Sequence, residues 1–223
     1  MSQLHELRQA QGVQAKSSRV SADLNKLIQK GQLFNARLQT SAAVERLSTG
    51  YTRLDHLLGG GLSLGHLHEV QVPGLFSGES LVFKASVQRA ASRQQPVFWL
   101  NPPAQPFLPG LNASAAQHMV LESLAEEELQ WSAAQILREL KGGVVLIWHP
   151  HPSAQTVRTW QRSLQADSDI FVLVISQHMA EEARAYSSRV RLCLRADKVH
   201  FEILKRPGGW PVQTQPERIP PWS

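Results

Sequence analysis

Two unbroken apolar runs, Val144–Trp148 and Ile170–Ile175, constrain this chain more than any other feature. A strand with one wet face alternates apolar and polar residues, whereas an unbroken run belongs to a strand covered on both faces. Helix-type sequence surrounds the runs. Ala125–Lys141 carries Glu126, Glu127 and Glu128 in its first turn, where acids suit the helix dipole, and Gly142-Gly143 is expected to stop it. Ser153 reads as the N-cap of a helix to about Ala166. Upstream, His66–Val72 and Val97–Leu100 read as strands on either side of a helix over Glu79–Arg93. Downstream, a short helix is expected near Ala180–Ala185. Strands Val190–Leu194 and Val199–Leu204 follow, joined by a tight turn at Ala196-Asp197. The alternation implies an α/β fold, a mostly parallel sheet flanked by helices, with antiparallel edge strands at the C-terminal end.

Three segments are expected. Residues 1–46 form a basic N-terminal helical extension, with Leu4, Leu7, Leu24, Leu27 and Ile28 at helical spacing. Residues 47–206 form the α/β domain. Residues 207–223 form an extended tail holding Pro207, Pro211, Pro216, Pro220 and Pro221. Large apolar residues on such a tail want a surface. For Trp210 that surface is first of all its own domain, while Trp222 is the better candidate for a partner contact.

Hydrophobic residues make up 42% and charged residues 18%, an ordinary globular balance. Residues 1–46 carry seven Lys/Arg against three Asp/Glu, and so do residues 189–223. Residues 47–188 carry nine against twelve, so both ends are basic and the centre mildly acidic. Basic ends suit polyanions or acidic partners; they also simply solubilise a chain. The single cysteine, Cys193, excludes an internal disulfide framework and a Cys-built zinc site. No apolar run is long enough to span a bilayer, and MSQLHELRQAQG lacks a secretory h-region, so a cytoplasmic protein without membrane contact is expected.

The most informative stretch is residues 47–80. Ser48-Thr49-Gly50, Leu54-Asp55, Leu58-Gly59-Gly60-Gly61 and Gly65 resemble the approach to the phosphate loop of RecA-type recombinases. Ile175-Ser176-Gln177 is similar to that family's strand ending in Asn-Gln, and Tyr186–Leu192 to its Tyr-Ala-Ser-Val-Arg-Leu. Asn25–Ala36 is loosely similar to its protomer-linking segment. The resemblance implies a RecA-like core.

The matching phosphate loop is Pro73-Gly74-Leu75-Phe76-Ser77-Gly78-Glu79-Ser80. A working loop needs glycines to free backbone N–H groups, a lysine for the β/γ charge and a hydroxyl for Mg²⁺. Gly78 and Ser80 remain, but Pro73 stands for the first glycine and Glu79 for the lysine. A carboxylate where phosphate would sit opposes binding on a scale of ~4 kcal/mol at 4 Å and intermediate dielectric. Leu75-Phe76 is expected to fill the loop with apolar bulk. The resemblance also places acids after two strands, where this chain has Trp148-His149-Pro150 and Asn101-Pro102. ATPase activity is therefore not expected, nor is any cofactor or metal.

With its basic N-terminal region, degenerate loop and Leu204-Lys205-Arg206-Pro207-Gly208-Gly209 strand end, the chain is similar to the translesion-DNA-synthesis-associated ImuA family, a RecA-like or SulA-like group. That resemblance implies a bacterial accessory protein of the SOS damage response. It implies work beside RecA, an ImuB-type polymerase partner and an error-prone polymerase. On it, Leu27, Ile28, Leu33 and Phe34 are candidate RecA-docking residues, and Lys205, Arg206, Trp210 and Trp222 further partner contacts. Only His178 to Arg184 fills the place of the recombinases' DNA-gripping loop, so DNA is a weaker expectation.

Two rivals stand beside this. A SulA-like inhibitor of the division GTPase FtsZ shares the fold. An atypical nucleotide- or DNA-binding RecA paralogue would use the basic ends on phosphates. His149-Pro150-His151 has no carboxylate or cysteine at ligand spacing and is not read as a metal site. Arg158 and Arg162 read as a solvated helix face, and Cys193 as an ordinary strand residue.

Overall fold

The computed structural model describes residues 45–113, 117–165, 168–177 and 184–219. The chain divides between Ala43 and Val44, so all described residues belong to its second unit. Leu27, Ile28, Leu33, Phe34 and Trp222 lie outside the described residues, as do residues 180–183 of the expected short helix. Arg184 and Ala185 are not helical.

The elements run β1 (Arg46–Leu47), α1 (Thr52–Leu57), β2 (Leu62–Ser63), β3 (His66–Gln71), α2 (Ser80–Ser92) and β4 (Val97–Leu100). A 3-10 turn at Leu108–Leu111 precedes β5 (His118–Leu121), α3 (Glu126–Glu139), β6 (Gly142–Trp148), α4 (Ala154–Ser163) and β7 (Asp169–Ser176). The chain then forms β8 (Ser188–Arg195), β9 (Lys198–Lys205), β10 (Val212–Gln213) and β11 (Glu217–Arg218). The main sheet has the order β5-β4-β6-β7-β3-β8-β9-β10, with β11 also on β9. Strands β5 through β8 in that order are mutually parallel, and β9, β10 and β11 complete an antiparallel end.

The apolar runs do what their lack of alternation requires. Val144, Leu146 and Trp148, with Phe171, Leu173 and Ile175, face the layer of α2, against Phe83 and Val87. Val145 and Ile147, with Ile170, Val172 and Val174, face α3 and α4, against Leu137, Val157 and Trp160. Both sheet faces are thus covered. Ser153 caps α4, its Oγ accepting the Thr156 N–H at 3.0 Å. The Glu128 carboxylate accepts the Ala125 N–H at the start of α3. Gly142 and Gly143 do not stop α3, which ends at Glu139; they open β6. The reason is space, because a Cβ on Gly143 would lie 2.4 Å from the Pro96 carbonyl oxygen.

The motif at residues 48–61 is a closed loop. Asp55 accepts from the Thr49 N–H, the Thr49 hydroxyl and the Ser48 hydroxyl at 2.6–2.9 Å. Gly61 has φ +116°, and a Cβ there would sit 2.2 Å from the Leu47 carbonyl oxygen. This loop turns the chain into β2 and β3. Among the described residues no helix is long and apolar enough to cross a membrane.

The described part of the tail turns at Pro207-Gly208 and then runs mostly extended to Ile219, joined to the sheet. β10 and β11 both pair with β9, and buried Thr214 exchanges hydrogen bonds with the Phe201 backbone. Ile219 packs on the core. Trp210 does not pack back on its own domain; it is 86% exposed.

His68, on β3, makes the fold sensitive to acid. Burial lowers its imidazole to about 4 from an ordinary 6.5, although donation to the Ser63 carbonyl at 2.8 Å works the other way. The folded state resists a proton that the unfolded chain takes freely, so this stability is whole above pH 6.5 and lost as pH falls toward 4. The gap corresponds to ~3 kcal/mol. Urea unfolding between pH 7 and 4 is expected to show that slope, and His68→Gln to remove most of it.

Candidate functional site

In an open parallel sheet, ligands gather at the carboxyl ends of the strands, near the point where strand order reverses. Here that point is at β3. From β3 the chain crosses through α2 to β4, three strands away on one side, while β8 lies on the other. The connecting loop is Pro73–Glu79, the segment aligned with a phosphate loop.

Pro73 is exposed, Gly74 and Gly78 are half-buried, and Ser80 opens α2. Gly78 has φ +89°, and a Cβ on it would meet Leu194 of β8 at 2.8 Å. Leu75 and Phe76 do not fill the loop; they point outward at 49% and 70% exposure. Glu79 turns inward instead and is 5% exposed. Its Oε1 accepts the Phe76 N–H at 3.2 Å. Its Oε2 is buried without a hydrogen-bond partner. A helix start with free N–H groups is ordinarily an anion site. This one supplies its own carboxylate, which suits the dipole of the 13-residue helix and occupies the Phe76 N–H.

Beside Glu79 opens a cavity of about 640 Å³ with mainly apolar walls. Trp99 of β4 stacks on Trp148 of β6 at 6.0 Å and 18°, and Phe83 of α2 meets both edge-on. The Pro102–Phe107 segment and the 3-10 turn close the far side. Phe107 stands on the rim, 73% exposed. Asn101, His149 and Gln177, the expected strand-end residues, meet in a smaller cavity of about 240 Å³. His149 Nε2 is 2.9 Å from Glu126 Oε1. Burial works against Glu126, but contacts from Gln130 and His149 hold it below its ordinary range.

Behind the loop lies a buried ion pair. Arg189 Nε of β8 donates to Glu69 Oε2 of β3 at 2.6 Å, and both side chains are almost fully buried. Ser176 of β7 and Gln71 also donate to Glu69. The pair ties three neighbouring strands together, joining the carboxyl-terminal halves of β3 and β7 to the start of β8. Burial, and then the Glu69 charge, push the neighbouring Tyr186 phenol well above 10.

The remaining candidates are placed elsewhere. Arg206 donates to the Leu57 carbonyl at 2.6 Å and the Trp210 carbonyl at 3.1 Å, fastening the tail to α1. Lys205 Nζ donates to the Arg184 carbonyl at 3.1 Å; partial burial, then Arg189, lower its pKa. Each thus spends donors on backbone carbonyls, with Lys205 exposed and Trp210 beside them open. Cys193, His200 and Glu202, on facing positions of β8 and β9, bring possible ligand atoms within 4.8 Å of one another. Glu202 already accepts from Arg191 at 2.7 Å and Gln213 at 3.2 Å, and the guanidinium opposes a cation there.

Sequence reasoning missed the aromatic cavity. Its one local signal was the proline cluster at 102–109 ending β4 beside an isolated Phe107. No family model matches the chain, and no curated protein matches it.

Proposed function

We propose that this chain is a non-catalytic docking protein of SOS mutagenesis, with a RecA-like body that binds RecA and an ImuB-type polymerase partner and caps RecA filaments. The partners come from the resemblance of residues 25–206 to recombinases and the ImuA family. The observation that carries the non-catalytic part is Glu79. Its carboxylate lies inside the loop at the switch point of the sheet and holds a backbone N–H that a phosphate would need. Trp148 and Asn101 stand at strand ends where hydrolysis wants carboxylates. A body that joins a filament through a linking segment, without a nucleotide-dependent second face, ends that filament.

The test is RecA's own DNA-stimulated ATPase. Substoichiometric amounts of this protein are expected to lower it, and deletion of residues 1–36 to abolish both the effect and RecA binding. Unchanged RecA binding after that deletion would sink the docking assignment. An unchanged ATPase at equimolar protein would sink the capping.

A further inference from the structure

The aromatic cavity beside Glu79 has no role in the scheme above, and its chemistry is specific. We infer that it receives an arginine side chain from a protein partner. Glu79 is the only charged residue among the described residues lining it. No lysine or arginine among them offsets that charge, so an anionic ligand is repelled and a cationic one attracted. The Glu79 Oε2 atom is buried and unpartnered, a state that a bound N–H donor relieves. The walls are the faces and edges of Phe83, Trp99 and Trp148. Such walls favour a guanidinium over an ammonium, because the planar, weakly hydrated ion stacks on aromatic rings and loses less on leaving water.

Two exposed aromatics, Phe76 and Phe107, stand at the cavity. Exposed rings around a pocket with a buried polar floor are the usual anatomy of an interface anchor site. At about 640 Å³ the cavity holds an arginine with room for the residues flanking it. The Oε2 atom is covered in the free protein, so binding includes a small local opening that exposes it. The inference rests on the cavity alone, whichever partner carries the arginine.

The full-length ¹⁵N-labelled protein is titrated with Nα-acetyl-arginine methylamide, read at the indole N–H resonances of Trp99 and Trp148. Trp131, exposed on α3, serves as the internal reference. Arginine is expected to give saturable shifts at Trp99 and Trp148 only. The citrulline analogue, of the same shape without charge, is expected to bind at least about tenfold more weakly. Glu79→Gln keeps an acceptor for the Phe76 N–H and should erase that preference. Phe107→Ala, a surface change that spares the fold, should weaken arginine binding severalfold. Equal binding of arginine and citrulline, an undiminished preference in E79Q, tighter binding of the lysine analogue, or no saturable shift with arginine would each overturn the assignment.

Discussion

An Arg189→Met variant is expected to lose ~3–5 kcal/mol of unfolding free energy, a large fraction of the stability of a domain this size. The cause is the charge left behind. Glu69 would keep its hydroxyl and amide donors, Ser176 and Gln71, but lose the cation 2.6 Å away in a buried site. Urea denaturation at pH 7 measures the loss directly. Removing both charges, with Glu69→Leu and Arg189→Met together, is expected to recover most of it, since buried pairs add little over well-packed apolar residues. A single variant as stable as the wild type would mean that Glu69 finds another partner or protonates. The loop would then rest on a weaker frame than the three tied strands suggest.

Reversing the charge of Glu79 is expected to open the loop to phosphate. Glu79→Lys removes a repulsion and adds an attraction at the start of α2, each on the scale of ~4 kcal/mol at 4 Å and intermediate dielectric. Much of that is screened in a loop whose neighbours Leu75 and Phe76 are exposed. A gain of at least about 100-fold in Mg-ATP affinity over wild type remains, corresponding to ~2.7 kcal/mol. Isothermal titration of the two proteins checks it, with a thermal melt to show that the variant is folded. No gain in a folded variant would show that the loop is closed by its backbone or by Pro73 and not by the carboxylate.

The fold was legible where residues carry their own periodicity. The apolar runs of β6 and β7 read as doubly covered strands because each residue meets one helix layer or the other. The Ser153 cap and the Ala196-Asp197 turn were equally local, the latter because two strands of eight residues leave only those two between them. What escaped was set by partners. The two-residue strands β1, β2, β10 and β11 exist only through the register of a neighbour. The six-residue α1 sits inside a motif read for its glycines. At the site, Glu79 was visible in the sequence where the resemblance expects a lysine, but the direction of its side chain was not. The carboxylate turned in and the apolar pair turned out, because the Phe76 N–H and the start of α2 both attract the anion. The cavity walls come from Phe83, Trp99 and Trp148, which only the strand order brings together. Trp210 escaped for the opposite reason. The tail reached its surface through β10, β11 and Ile219, leaving the indole outside.

The most direct test of the closed loop is equilibrium dialysis of the unmodified full-length protein against Mg-ATP, followed by assay for phosphate release. The Glu79 geometry predicts no saturable binding up to about 1 mM nucleotide and no turnover above background, with or without single-stranded DNA. Saturable binding with a Kd below about 0.1 mM, or measurable hydrolysis, would contradict it. Binding would mean that nucleotide enters despite the buried carboxylate, and hydrolysis that the body is an enzyme as well.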